Sequence, residues 1–257
     1  MNNFKFFPEG WKENNELLQT EEILQGFVNE CDDNYNLHIT LKNGVQGVIP
    51  RDEIEEINLQ EDGLPKINLC VGKVHKFVQF KKIGNDGDKV LLSRRQVQKE
   101  VLQTVKTQLK VGQTLKAIVK NITDYGAFLD IGGGIIGLVY IEDLSVARIK
   151  SPFERIKIGQ KVNVMVKYID KQTGRVNLSY KDTLGTWEDN AKEFEVGMKS
   201  KGIIRETEKN QNGIFIELKP NLVGMAEYQD GLQYGQNVDV VIKKIDYDKK
   251  KVKLIIL

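Results

Sequence analysis

"NITDYGAFLDIGG", residues Asn121 to Gly133, sets two aromatic residues three positions apart around a glycine and then alternates residue types. Successive side chains of a β-strand point to opposite faces, so Ala127, Leu129 and Ile131 share one face while Phe128 and Asp130 share the other. With the first three turned to a core, Phe128 is turned to water. Tyr125 and Phe128 would ordinarily lie on opposite faces. Gly126 can adopt backbone angles closed to other residues, which allows a bulge that brings both rings onto one exposed surface. The alternative for Phe128 is burial under a loop or a neighbouring domain.

The pattern around this stretch recurs. Val111-Gly112 matches Val196-Gly197, Gly126-x-Phe128 matches Gly213-x-Phe215, Gly137 matches Gly224, Gly159-Gln160 matches Gly235-Gln236, and Asp170 matches Asp246. A fainter copy begins near Thr20, with Tyr35 where Tyr125 stands, His38 where Phe128 stands and Gly47 where Gly137 stands. Each copy reads as about five short strands with a longer connection before the fourth, which fits a closed five-stranded antiparallel barrel of the oligonucleotide-binding (OB) type. The expected architecture is all-β: an extension over 1–19, barrels over 20–95, 111–183 and 196–257, and linkers over 96–110 and 184–195. Val97, Val101, Val105 and Leu109, four apart, predict an amphipathic helix for the first linker. Trp187, next to the shorter second linker, is expected to help fix the spacing of the barrels it joins.

Composition narrows the function classes. The chain has 257 residues, 40% hydrophobic and 29% charged, as ordinary globular domains have. No stretch approaches the roughly 18 apolar residues that span a membrane, and the start lacks the apolar core of a signal peptide, so a cytoplasmic protein without membrane contact is expected. Cys31 and Cys70 stand alone, and His38 and His75 are the only histidines. Neither a metal site nor a catalytic triad is supported, and no cofactor is expected. "GGGIIG", Gly132 to Gly137, has dinucleotide-binding spacing, but a strand-like "LVYIEDL" follows where a helix is needed, so the glycines read as a hairpin turn. Asp32-Asp33 and Glu142-Asp143 read as surface loop acids. The net charge of +2 conceals an uneven distribution: residues 111–183 carry 11 basic and 7 acidic side chains, whereas residues 1–95 carry 12 and 16. A basic middle third suits a polyanionic partner.

"VGQTLKAIVKNITDYGAFLDI", "GLVYIEDLS", "IGQKVNVMVKYID" and "GRVNLSYKD" together closely resemble the RNA-binding domain named after bacterial ribosomal protein S1. The first copy resembles amino-terminal domains of that protein through "GVIPRDEI", "VGKVHKFV" and "VLLSRRQVQKE", and the third is a degenerate relative. The resemblance implies an RNA face on the middle barrel formed by Tyr125 and Phe128, by Tyr140 in place of the family's histidine, and by Asp170 and Arg175. On the same alignment Lys120 and Lys167 are phosphate candidates, with solvated lysines as the alternative for each. Unpaired bases stack on aromatic faces within a positively charged groove, so Phe128 reads as a stacking platform.

The outer copies are weaker matches. The first keeps Tyr35 but has His38 and Pro50 where the middle copy has Phe128 and Tyr140, so poor RNA affinity and a protein-contact role are expected. The third keeps Phe215, Lys250 and Lys251 for auxiliary binding but has Asn212 and Glu227 in place of two rings. The leading expectation is a monomeric, non-enzymatic protein that binds single-stranded mRNA in translation at or near the small ribosomal subunit. The alternative is an RNA-tethered adaptor or regulator of RNA decay or transcription whose outer barrels bind protein. A nuclease would need an acidic metal cluster that the sequence lacks. The ribosomal protein commonly carries more such domains, so the chain is either a short relative or a piece of something longer.

Overall fold

A computed structural model describes residues 23–41, 44–206 and 213–257. Among them, fifteen strands close three barrels. The first contains β1 (Leu24–Cys31), β2 (Leu37–Thr40), β3 (Gln46–Ile49), β4 (Phe77–Asp86) and β5 (Lys89–Ser93) in the order β1-β2-β3-β5-β4. The second contains β6 (Thr114–Thr123), β7 (Gly126–Gly132), β8 (Ile135–Tyr140), β9 (Lys161–Ile169) and β10 (Val176–Ser179) in the order β10-β8-β7-β6-β9. The third contains β11 (Lys199–Glu206), β12 (Ile214–Lys219), β13 (Leu222–Ala226), β14 (Asn237–Asp246) and β15 (Lys251–Ile256) in the order β11-β12-β13-β15-β14. In the outer barrels every strand pair is antiparallel except the closing one, β3 with β5 and β13 with β15. The alternating pattern of the sequence is the cause. Ala127, Leu129 and Ile131 are fully buried while Phe128 and Asp130 between them keep partial exposure, and "KVNVMVKYI" buries Val162, Val164 and Val166.

The chain forms two compact units, and the boundary between them runs through the middle barrel. One holds the first barrel with Asp130–Gly137 and Tyr168–Val176. Its helix α2 (Arg94–Thr107), following α1 (Ile67–Val71), starts where the Ser93 side chain accepts a hydrogen bond from the Gln96 amide at 2.9 Å. Val97, Val101 and Val105 are buried on one face, as their spacing predicts. Val97 and Val101 lie so close to Gly133 that a Cβ there would stand 3.2 and 2.9 Å from them, and Arg94 donates to the Gly133 carbonyl at 3.0 Å. Gly132, Gly133 and Gly134 have φ of 133°, 60° and 78° and turn β7 directly into β8. A strand follows these glycines, which removes the dinucleotide-binding reading.

The second unit holds the third barrel with Ile118–Leu129 and Leu138–Lys167. Helix α3 (Trp187–Ala191) begins in a capping box between Thr186 and Asp189. Trp187 packs on the third barrel's core and meets the Tyr247 ring edge-on at 5.6 Å. The connection between β8 and β9 is tied to the third barrel by short bonds. Ser145 Oγ donates to the Pro220 carbonyl at 3.0 Å, and the Val146 and Ala147 amides reach the same oxygen at 3.2 Å. Glu217 accepts from Arg155 and from Arg205, each at 2.5 Å, while Arg205 also pairs with Glu154. Glu154 in turn accepts from the Tyr234 hydroxyl at 2.9 Å.

Candidate nucleic-acid interface

Three rings meet where β6 turns into β7 and β8 ends. Tyr125 occupies the turn ahead of β7, Phe128 is the third residue of β7, and Tyr140 is the last of β8. Strand alternation does not govern Tyr125 from that position, so its ring reaches Phe128, edge-on, with centroids 6.0 Å apart and planes at 86°. The expected bulge at Gly126 is not how this is done. Gly126 is not among the glycines with left-handed φ. Its lack of a side chain serves a close approach instead: a Cβ there would run into the Val139 carbonyl oxygen and lie 3.1 Å from the Tyr140 Cα. The Ile141 amide donates to the Tyr125 carbonyl at 2.9 Å and holds Tyr140 alongside. Tyr125 is 53% exposed and Tyr140 39%, a concentration of open aromatic surface.

Charge near the rings is organised around an acid that sequence reasoning misplaced. Asp143 is not a surface loop acid; it is 3% exposed and holds two lysines. Lys167 Nζ donates to its two oxygens at 2.7 and 2.8 Å, and Lys181 Nζ lies 3.4 Å away. The bond to Asp143 raises the Lys167 pKa. The three side chains sum to one positive charge that remains partly open to solvent through Lys167 and Lys181. Lys181 was absent from the expected set, and the only signal for it was its place in "GRVNLSYKD" beside the motif acids. Lys120 is an exposed residue of β6.

Asp170 and Arg175 belong to the turn between β9 and β10. The Asp170 carboxylate accepts from the Thr173 hydroxyl at 2.5 Å and from the Gln172 and Thr173 amides at 2.9 and 3.3 Å, which lowers its pKa. Its amide donates to the Arg175 carbonyl at 2.9 Å. Asp170 therefore shapes the turn, and the exposed Arg175 guanidinium has no acidic partner within hydrogen-bond distance among the described residues.

In the first barrel the expected residues are already engaged. Tyr35, at φ 64°, lies under the Arg51 guanidinium at 5.0 Å. His38 Nε2 meets Asp32 Oδ2 at 3.0 Å, and Asp32 also binds Asn34 and Asn36. Desolvation acts upward on Asp32, but the His38 and Asn36 bonds prevail and hold its pKa at about 2. In the third barrel Phe215 stands on β12, Lys250 pairs with Glu188 at 2.7 Å, and Lys251 opens β15; Asn212 lies outside the described residues. Among the described residues no group of three His, Cys, Asp or Glu side chains could hold a metal ion. None of their helices is long and apolar enough to cross a membrane.

A flat-ring cluster beside cationic groups on a five-stranded barrel is the arrangement that oligonucleotide-binding barrels use. Residues 108–181 match the family described as S1 RNA binding domain. The chain carries an S1 domain. It is similar to the small ribosomal subunit protein bS1 of Rickettsia typhi, 34% identical over 82% of this chain and 39% of that protein. The bS1 of Chlamydia trachomatis is 30% identical over 82% of this chain and 38% of its own length, and that of Staphylococcus aureus 29% over 93% and 62%. The chain thus spans about 40% to 60% of the curated relatives it matches. The three-ring cluster, Lys120, Lys167 and the Asp170–Arg175 turn all fall inside the S1 domain.

Proposed function

We propose that the chain is a non-enzymatic, cytoplasmic single-stranded RNA-binding protein that engages mRNA in translation at the small ribosomal subunit, chiefly through the S1 domain. The paired rings of Tyr125 and Phe128, open beside Tyr140, carry this reading. Bases stack on them while Lys120, Lys167 and Arg175 meet phosphates. The relatives supply the translational setting, since each is a small ribosomal subunit protein.

The test is fluorescence anisotropy with an unstructured RNA oligomer at two salt concentrations. Phe128→Ala and Tyr140→Ala are each expected to lose about 1–3 kcal/mol of binding, and wild-type affinity is expected to fall as salt rises. Unchanged binding in both variants removes the site from the S1 domain.

One observation favours a protein-contact role for the first barrel. Its Tyr35 and His38 rings are engaged, while Phe77, 65% exposed, meets Phe27 at 5.3 Å and leaves an aromatic surface open. Co-sedimentation with small subunits separates the translational role from that of an RNA-tethered adaptor, which binds RNA without following the subunit.

A further inference from the structure

The second unit contains a cleft of about 330 Å³ on the third barrel. Its floor is apolar: Phe215 from β12, Val223 and Met225 from β13. One wall comes from the S1 domain, where Val146 and Arg148 of the β8–β9 connection reach over this floor. The wall is fixed in place, because the Val146 amide is bonded to Pro220 and Arg155 of the same connection is bonded to Glu217.

The cations around the cleft differ in how far they are committed. Arg205 is bound to Glu217 and Glu154, and Lys250 to Glu188. Lys251 and Lys253, successive outward-facing residues of β15, are exposed and have no acidic partner among the described residues. Arg148 is 81% exposed and holds Glu206 only loosely, at 3.5 Å. An apolar slot with uncommitted cations on its rim suits a flat apolar ring that carries a phosphate. The volume lies at the small end of the roughly 300–1,000 Å³ typical of ligand clefts, enough for one such unit rather than a run of them.

We propose that this cleft takes one nucleotide of an RNA strand, its base over Phe215 and Met225 and its phosphates on Lys251, Lys253 and Arg148. Arg148 is then an RNA contact contributed by the S1 domain to the third barrel's site, and Lys250 is not one. The inference rests on the RNA-binding reading above. A second site on the same strand raises affinity through effective concentration, so its effect depends on RNA length.

The test uses the full chain with ¹³C-methyl-labelled methionine, in which Met165 and Met198 act as internal references for Met225. Saturating an unstructured long oligomer is expected to shift the Met225 methyl through the ring current of the inserted base, and Phe215→Ala is expected to abolish that shift. In anisotropy, Arg148→Ala and the double substitution Lys251→Ala/Lys253→Ala are expected to weaken the long oligomer about five- to tenfold while leaving a short oligomer unchanged. An unmoved Met225 methyl at saturation overturns the proposal while leaving the S1-domain site intact. A shift produced by free UMP but not by the oligomer overturns it in favour of a mononucleotide pocket. If wild type binds neither oligomer, both this inference and the reading beneath it fall.

Discussion

Replacing Asp143 with asparagine separates the two tasks of the lysine pair it holds. In the native protein one buried carboxylate takes Lys167 through both oxygens and Lys181 at 3.4 Å, leaving a net charge of +1. The amide side chain is nearly the same size, so the main change is electrostatic: the cluster becomes +2 and the Lys167 ammonium is released. A stranded buried charge costs about 3–5 kcal/mol, but Lys167 is 53% exposed and Lys181 28%, so both rehydrate. The expected stability loss is about 1–2 kcal/mol, seen as a lower urea midpoint with unchanged slope. RNA affinity is expected to move the other way. One additional phosphate contact on a single strand steepens the dependence of log K on log salt by about 0.7, so the gain at 50 mM over that at 200 mM salt is roughly two- to threefold. The assay is anisotropy across that salt range. A weaker complex with an unchanged salt slope refutes the reasoning, because Asp143 would then be orienting Lys167 toward RNA rather than withholding it.

Gly126→Ala drives a methyl group into the Val139 carbonyl and toward Tyr140 Cα, so we expect about 1–3 kcal/mol of destabilisation together with lost RNA affinity, read by urea melts and anisotropy. Glu217→Gln leaves Arg155 and Arg205, 6% and 4% exposed, without their shared charge; about 3–5 kcal/mol should be lost in denaturant unfolding, whereas an unchanged midpoint would mean that Glu154 and water compensate. Asp32, held at about 2 against 3.8 in the unfolded chain, stabilises the first barrel above pH 4, and that contribution disappears as pH falls through 3.8 toward 2. Thermal melts between pH 5 and 2 should accordingly be flatter for Asp32→Asn than for wild type.

The barrels were legible because their signal is local. Alternation in "GAFLDIG" and "KVNVMVKYI" assigns faces without reference to the rest of the chain, and the recurring glycines mark the copies. The helix between the first two barrels was legible from four residues at fourfold spacing. What escaped is set by distant partners. Asp143 looks like any loop acid until Lys167, 24 positions away, folds onto it. Gly126 looks like a source of backbone freedom until β8 passes against it. The Arg155–Glu217–Arg205 cluster joins residues 62 and 12 positions apart, and no short window of sequence contains it.

These distant pairings also account for the different expectations attached to three copies of one fold. The first barrel has rings at the matching positions, yet Arg51 covers Tyr35 and Asp32 engages His38, so little aromatic surface or free charge is offered there. The S1 domain leaves its rings open and draws one of its lysines back onto Asp143. The third barrel has a single ring on its face, but Lys251 and Lys253 are left uncommitted and Arg148 of the S1 domain projects over it. A residue's identity at a motif position thus decides less than whether its face or its charge is already taken. Removing a competing acid, as in Asp143→Asn, should therefore change RNA binding more than adding a further lysine to an exposed strand.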